Sequence, residues 1–353
     1  MGVQQLGAPP MGKLRGWITE LRLPFLTASI IPILLGTVIA WAVVKVFLPL
    51  FFILALLGGV SLHMGANVAN DYFDHKSRDD EINKEFVRPF SGGSRMIQLG
   101  VLTPRAVLSG AVLLLALGGV IGLYLTLTRG VIILLIGLVG VFSAFFYTAP
   151  PFNLASRGIG EFFVGLNFGV LMTLGAFYVQ TQTLSWEPIF ASFPVALLIT
   201  AVLYINQFPD YTADKAVGKR HLVVRWGREK AVVGYGALMI SVYLFIVAGV
   251  VGRVISPFAL VGVFTLPLAV RAVQYAKAHH SEPFGLVPAN ASTIIIHLTT
   301  GLFLIVGYIL EGLELQGAMY TVAVVASLGL AVIIAVVYRQ TERQRAAFLA
   351  ALR

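Results

Sequence analysis

Apolar runs of roughly twenty residues recur along the whole sequence, separated by short polar stretches. Ten can be delimited, at about 23–44, 49–69, 105–127, 130–148, 159–180, 189–206, 231–251, 256–275, 292–311 and 318–338. Each is long enough to cross a hydrocarbon core of about 30 Å as a helix. The period-two alternation of an outer-membrane strand is absent. A helix pairs its backbone groups within the segment, which an open strand in lipid cannot do. The pattern predicts an all-α, polytopic membrane bundle of nine to ten transmembrane helices, organised as one membrane domain over 1–353. Residues 1–15 contain Gly and Pro and read as a mobile tail, with an amphipathic lead-in around Trp17 to Leu21. The first apolar run lacks a cleavage-site pattern and reads as a retained helix.

Composition supports the membrane reading. The 353 residues are 58% hydrophobic and 12% charged, against roughly 45–50% and about 25% in a soluble domain. The absence of Cys excludes disulfides and thiolate metal sites. A net charge of +9 would suggest nucleic acid in a soluble protein. Here the basic residues sort by side instead. With the N-terminus inside, 22 of the 25 Lys and Arg fall on one face, and only Lys45, Arg129 and Arg253 lie opposite. The positive-inside bias then places both termini in the cytoplasm and the protein in the cell membrane.

Acidic residues are segregated more sharply. All six aspartates lie in two stretches, Asn67-Val68-Ala69-Asn70-Asp71-Tyr72-Phe73-Asp74 continued to Asp79 and Asp80, and Asn206-Gln207-Phe208-Pro209-Asp210-Tyr211-Thr212-Ala213-Asp214. Each closes an apolar run on the cytoplasmic side. On a helix, Asn206, Asp210 and Asp214 share one face, as do Asn67 with Asp71 and Asn70 with Asp74. Two such faces turned towards each other demand cations. Oxygen ligands without His or Cys select hard ions, and Mg²⁺ typically bridges carboxylates to substrate phosphates. Lys84, Arg88, Arg95, Lys219, Arg220 and Arg225 follow the two stretches and can pair with phosphate oxygens. A lone Asp at a helix end is ordinarily a cap or an interfacial residue. Two clusters with the same spacing, on one side, each followed by basic residues, are not explained that way.

The paired stretches NDYFDHKSRDD and DYTADKAVGKR resemble the Asp-rich motifs of the UbiA superfamily of membrane prenyltransferases. The resemblance extends to Tyr147-Thr148-Ala149-Pro150-Pro151-Phe152, to Arg157, Gly158 and Glu161, to GKRHLVVRWG from Gly218, and to Leu286-Val287-Pro288-Ala289-Asn290. These details are most similar to the branch that prenylates 1,4-dihydroxy-2-naphthoate for menaquinone. The resemblance implies a helical bundle around a central cavity, a Mg²⁺ requirement, a polyprenyl diphosphate donor and an aromatic acceptor. Asn70, Asp71, Asp74, Asp80, Asp210 and Asp214 become the expected metal ligands, with Asp71, Asp74, Asp210 and Asp214 catalytic. Asn67, Lys84, Arg88, Tyr147, Arg157, Asn206, Lys219 and Arg220 become the expected substrate-binding residues. Many family members carry Asp where Arg78 stands; the naphthoate branch has its acidic residue two positions on, at Asp80. The family core has nine helices, so the run 318–338 is expected to be an additional C-terminal helix.

Other residues have plainer readings. His63, one turn before Asn67, is expected to pack between helices, with cavity lining as the alternative; His297 is expected to be a buried packing residue. Three rival functions remain open at this point, one of them a non-catalytic quinone-binding membrane scaffold, which would have no need of paired metal faces. Other acceptors, such as 4-hydroxybenzoate, homogentisate or a haem precursor, fit the same motifs. A cation transporter would also use intramembrane carboxylates, but these normally lie near the bilayer midplane on broken helices.

Overall fold

In a computed structural model, the chain is described for residues 12–314 together with Thr321 and Arg339. Most of the expected tail and the expected helix at 318–338 lie outside the described residues. Helices account for 79% of the structure, with no strand among the described residues. In chain order they are α1 (Lys13–Glu20), α2 (Thr27–Val44), α3 (Pro49–Ser77), α4 (Asp79–Ile82), α5 (Pro104–Arg129), α6 (Ile132–Phe146), α7 (Gly160–Gly165), α8 (Met172–Thr181), α9 (Trp186–Ala216), α10 (Leu222–Val251), α11 (Leu266–His279) and α12 (Val287–Gly312). One π-helical turn, Leu166–Leu171, joins α7 to α8.

The expected count needs a correction. Among the described residues eight stretches are long and apolar enough to cross a membrane. The run expected at 130–148 is a shorter helix, Ile132–Phe146. Its end has a local cause: Pro150 and Pro151 follow within a few residues and cannot continue a helix. Two other expected spans are longer than the apolar pattern. α3 runs to Ser77 and α9 to Ala216, so both Asp-rich stretches ride on continuous helices. α10 begins at Leu222, where the pattern started the span at 231, and breaks at Gly227, whose φ of 76° is left-handed.

The main core gathers α2, α9, α10, α11 and α12 around Leu35, Tyr204, Phe208, Tyr235, Met239 and Tyr308. A smaller cluster under the lead-in helix joins Val68, Met96 and Val107, with Trp17 packed against it. α3 and α5 form the opposite side of the bundle, and a cavity of about 1030 Å³ lies between the two sides.

Backbone contact sets the spacing of α2 and α8. A Cβ on Gly36 would sit 2.1 Å from the Thr173 carbonyl oxygen and 3.1 Å from Ala176 Cβ. Gly36→Ala is therefore expected to destabilise the protein by about 1–3 kcal/mol. A Cβ on Gly119 meets nothing within 4 Å, so Gly119→Ala serves as the neutral control. Thermal unfolding of both variants in detergent tests this; equal melting temperatures would contradict it.

Candidate active site

The two Asp-rich helices deliver their carboxylates to one end of the cavity. α3 presents a stripe to it, Gly59, Leu62, His63, Ala66, Asn67, Asn70 and Asp74, and α9 presents Asn206, Gln207, Asp210 and Asp214. The helical period explains both stripes. Arg78, in the left-handed region with φ of 63°, ends α3 and turns the chain into α4, which brings Asp79 and Asp80 back under the same end. Asp71, Asp79, Asp80 and Asp214 are all buried.

Cations and loop donors answer this concentration of negative charge. Lys219 Nζ lies 2.9 Å from Asp79, 3.4 Å from Asp74 and 3.4 Å from Asp214, tying the end of α3 to that of α9. Burial favours the neutral amine at Lys219, but Asp214, Asp74 and Asp79 outweigh it and hold its pKa well above the usual value. Arg22, from the turn between α1 and α2, pairs with Asp71. The Ser94 amide donates to the other Asp71 oxygen at 3.0 Å, and the Ser94 hydroxyl donates to buried Glu20. Asn83 Nδ2 donates to Asp210 at 2.6 Å and Gln98 Nε2 to Asp80 at 3.0 Å. Burial, then the charges of Asp74 and Asp71, push the Asp80 carboxyl up to about 8. The loop between α4 and α5 thus folds over the carboxylates. Gly93, at φ of +68°, passes close beside them: a Cβ there would stand 3.0 Å from Asp71 Oδ1.

His221 buttresses Asp214. Its Nδ1 accepts from the Val224 amide at 3.3 Å, capping α10, which leaves Nε2 to donate to Asp214 at 2.8 Å. Burial, then the neighbouring Lys219 charge, bring the His221 pKa down to about 4, consistent with a neutral ring in that tautomer.

Of the expected site residues, Asn67, Asn70, Asp74, Asp80, Arg88, Tyr147, Asn206, Asp210, Asp214 and Lys219 line one cavity. Asp71 lies beside it, through Arg22. Three expected residues are not brought there. Lys84 is exposed on the loop. Arg157 is exposed and donates to the Pro151 and Phe152 carbonyls, bracing its own turn. Arg220 is exposed, and its amide donates to the Ser156 carbonyl. Adjacency to a motif in sequence does not fix the direction of a loop side chain. Conversely, Arg22, Asn83, Ser94, Gln98 and His221 were missed as site residues. Arg22, Asn83, Ser94 and Gln98 reach the carboxylates from distant positions in the chain, whereas His221 lies seven residues from Asp214, within the stretch from Gly218.

The donor set is oxygen throughout, which suits a hard divalent cation. Among the described residues no group of three or more acidic or His side chains forms a ready-made cage. Three carboxylates converge instead on the Lys219 ammonium, a positive charge standing where metal charge would be served. Asp79 Oδ1 is buried without a hydrogen-bond partner. The residues fit Mg²⁺ in the manner usual for that ion, held by few carboxylates and completed by water and phosphate.

Comparison with known proteins shows the family and the fold. The chain is 29% identical over 286 residues to the 1,4-dihydroxy-2-naphthoate octaprenyltransferase of Bacillus subtilis (strain 168), covering 81% of this chain and 89% of that one. It is 31% identical over 268 residues to the protein of the same name from Mycobacterium tuberculosis, covering 74% and 86%. Its fold matches the apo structure of a UbiA homolog from Aeropyrum pernix K1 with a TM-score of 0.60, at 14% identity over 81% of this chain and 97% of that one. A UbiA homolog from Archaeoglobus fulgidus bound to GPP and Mg²⁺ matches with a TM-score of 0.50, at 16% identity over 82% and 99%. The model of the UbiA prenyltransferase family matches residues 29–286, most of the chain, and the protein belongs to that family.

Proposed function

We propose that this membrane protein transfers an isoprenyl group from a polyprenyl diphosphate to 1,4-dihydroxy-2-naphthoate, a step of menaquinone synthesis. The observation that carries the reading is the gathering of six carboxylates from α3, α4 and α9 at one end of a large, mostly apolar cavity, five of them lining it. The names of the Bacillus and Mycobacterium relatives support the naphthoate acceptor. The charge distribution supports a site facing the cytoplasm with both termini on that side.

Asn70, Asp71, Asp74, Asp80, Asp210 and Asp214 are the residues proposed to hold Mg²⁺, which when bound supplies positive charge to the diphosphate. Lys219, Arg22 and Arg88 lie at the same end to take the remaining phosphate oxygens. Breaking the allylic C–O bond sends its electron pair to the diphosphate, and these cations stabilise that charge as it develops. The allylic cation stays on the cavity side, where an apolar wall of helices keeps water away. An electron-rich ring then supplies the pair for the new C–C bond, and the attacked carbon loses its own substituent, a proton or its carboxylate as carbon dioxide, whose bonding pair restores the aromatic ring. A transporter normally holds such charges near the bilayer midplane on broken helices; here the aspartates are concentrated at one end of the bundle, on the last turns of α3 and α9 and on α4.

Purified protein in detergent, given radiolabelled geranylgeranyl diphosphate, Mg²⁺ and a panel of aromatic acceptors, is expected to label 1,4-dihydroxy-2-naphthoate. EDTA should abolish the product, and Asp74→Ala or Asp210→Ala should cut the rate by about 100-fold or more. Transfer to a different acceptor would overturn the branch; activity surviving EDTA and both variants would overturn the mechanism.

Lys219 gives a second test. In EDTA, Lys219→Met should lower the melting temperature, because three carboxylates lose a shared counter-charge, a loss of up to roughly 3–5 kcal/mol for a broken buried pair. Added Mg²⁺ should then raise the melting temperature of the variant more than that of the wild type. Equal shifts would contradict a common position for the ammonium and the metal charge.

A further inference from the structure

Polar groups continue down the cavity well below the carboxylates, and the proposed donor cannot use them. His63 lies seven residues before Asn70 on the cavity-facing stripe of α3, about 10 Å deeper along the helix axis. It is 6% exposed, and its Nδ1 is engaged at 2.8 Å with the hydroxyl of fully buried Ser29 on α2. Its Nε2 has no protein partner among the described residues. The imidazole packs edge-on against Phe168, with ring centroids 4.5 Å apart.

Phe168 belongs to the π-helical turn Leu166–Leu171, and so does Asn167. Such a turn re-aims side chains within a helix and is frequent at functional sites. Both residues line the cavity. Asn167 Nδ2 donates to the Phe163 carbonyl at 2.6 Å, while its Oδ1 is buried without a partner. Across from it, a Cβ on Gly140 would come no nearer than 3.9 Å to that oxygen. Ala28, Ile199 and Val202 cluster with Val164 and Phe168, and with Ile33 they line the same cavity.

A buried polar atom left without a partner is costly, and one facing a cavity is normally matched by what binds there. An isoprenyl tail has no hydrogen-bonding group. The diphosphate belongs with the carboxylates and cations above. The component still unmatched is the hydroxylated ring of the acceptor, and pockets for small molecules combine an apolar lining with a few such polar groups that fix orientation.

We propose that His63, oriented by Ser29, and Asn167 form the hydrogen-bonding subsite for the ring hydroxyls of the aromatic acceptor, with Phe168 against the ring face. This rests on the prenyl-transfer reading above. The subsite fixes which edge of the ring points towards the donor carbon, so His63 and Asn167 determine acceptor specificity. A site built to pair with a hydroxyl also discriminates strongly against an analogue lacking it.

Steady-state kinetics with 1,4-dihydroxy-2-naphthoate and geranylgeranyl diphosphate tests the assignment. His63→Phe is expected to raise the acceptor KM at least tenfold and to leave the donor KM within twofold. His63→Gln, which keeps an amide near the Nε2 position, should recover most of the loss. A mono-methyl ether of the acceptor should be a poor substrate for the wild type and lose little more in His63→Phe. Should that variant fail to fold, Asn167→Leu carries the same expectation. An unchanged acceptor KM, or donor and acceptor KM rising together, would overturn the subsite. A wild type that transfers nothing to any hydroxylated ring would instead overturn the prenyltransferase reading, and the subsite with it.

Discussion

Repulsion among six carboxylates is the constraint the rest of this end of the molecule is built to meet. Two unit charges 4 Å apart at an effective dielectric of 20 repel by about 4 kcal/mol, and four of these six side chains are buried. Lys219 answers three of them at once. Arg22 answers Asp71 from a turn that precedes the first long helix. The loop after α4 adds neutral donors, and its glycines let the backbone come close enough to give them. Each carboxylate oxygen has two lone pairs, so a loop donor on one oxygen leaves capacity for a cation on the other. Closure of the loop and occupation by metal are therefore compatible.

The same charge that has to be countered here is what a diphosphate-cleaving site requires. Fixed charge at the mouth and hydrocarbon behind it divide the reaction between two media. Leaving-group charge develops among cations, and the carbocation develops among apolar side chains. Charged groups in lipid are tolerated only where the protein shields them, and here they gather at helix ends beside polar loops. This arrangement accounts for α3 and α9 extending past their apolar runs: the added turns carry the carboxylates out of the hydrocarbon zone while keeping them on the cavity face.

How much of this was legible in the sequence follows from which contacts are local. The spacing of Asn206, Asp210 and Asp214 reports a helix face directly, and the structure shows that face on the cavity. The apolar runs report helices but not their ends; Ile132–Phe146 is cut short by prolines, and α10 starts a full turn and more before its apolar part. Basic residues were legible only in part: Arg88 and Lys219 line the cavity, and Lys84, Arg157 and Arg220 do not. Their sorting by side is a statistical pattern, whereas the direction of Arg157 or Arg220 depends on the turn each one braces. Arg22 was counted as one more positive-inside residue, since nothing within its own segment announces a partner 49 positions away. His63 was weighed as a packing histidine, and its bond to Ser29 is such a contact. The alternative reading, that it lines the cavity, holds as well.

Pro209 shows how the site is tied to the far end of the chain. Standing inside α9 just before Asp210, it has no N–H to offer the Ile205 carbonyl. Asn290, fully buried on α12, fills the gap: its Nδ2 reaches that carbonyl at 3.2 Å and Asn206 Oδ1 at 2.7 Å. One amide thus repairs the backbone and fixes a cavity-lining side chain one turn before the proline. Asn290 thereby holds α9 against α12 one turn before Asp210. Position along the chain conceals this coupling, because 80 residues separate Asp210 from Asn290. In the folded bundle the geometry of the second Asp-rich stretch depends on α12 as directly as on its own helix.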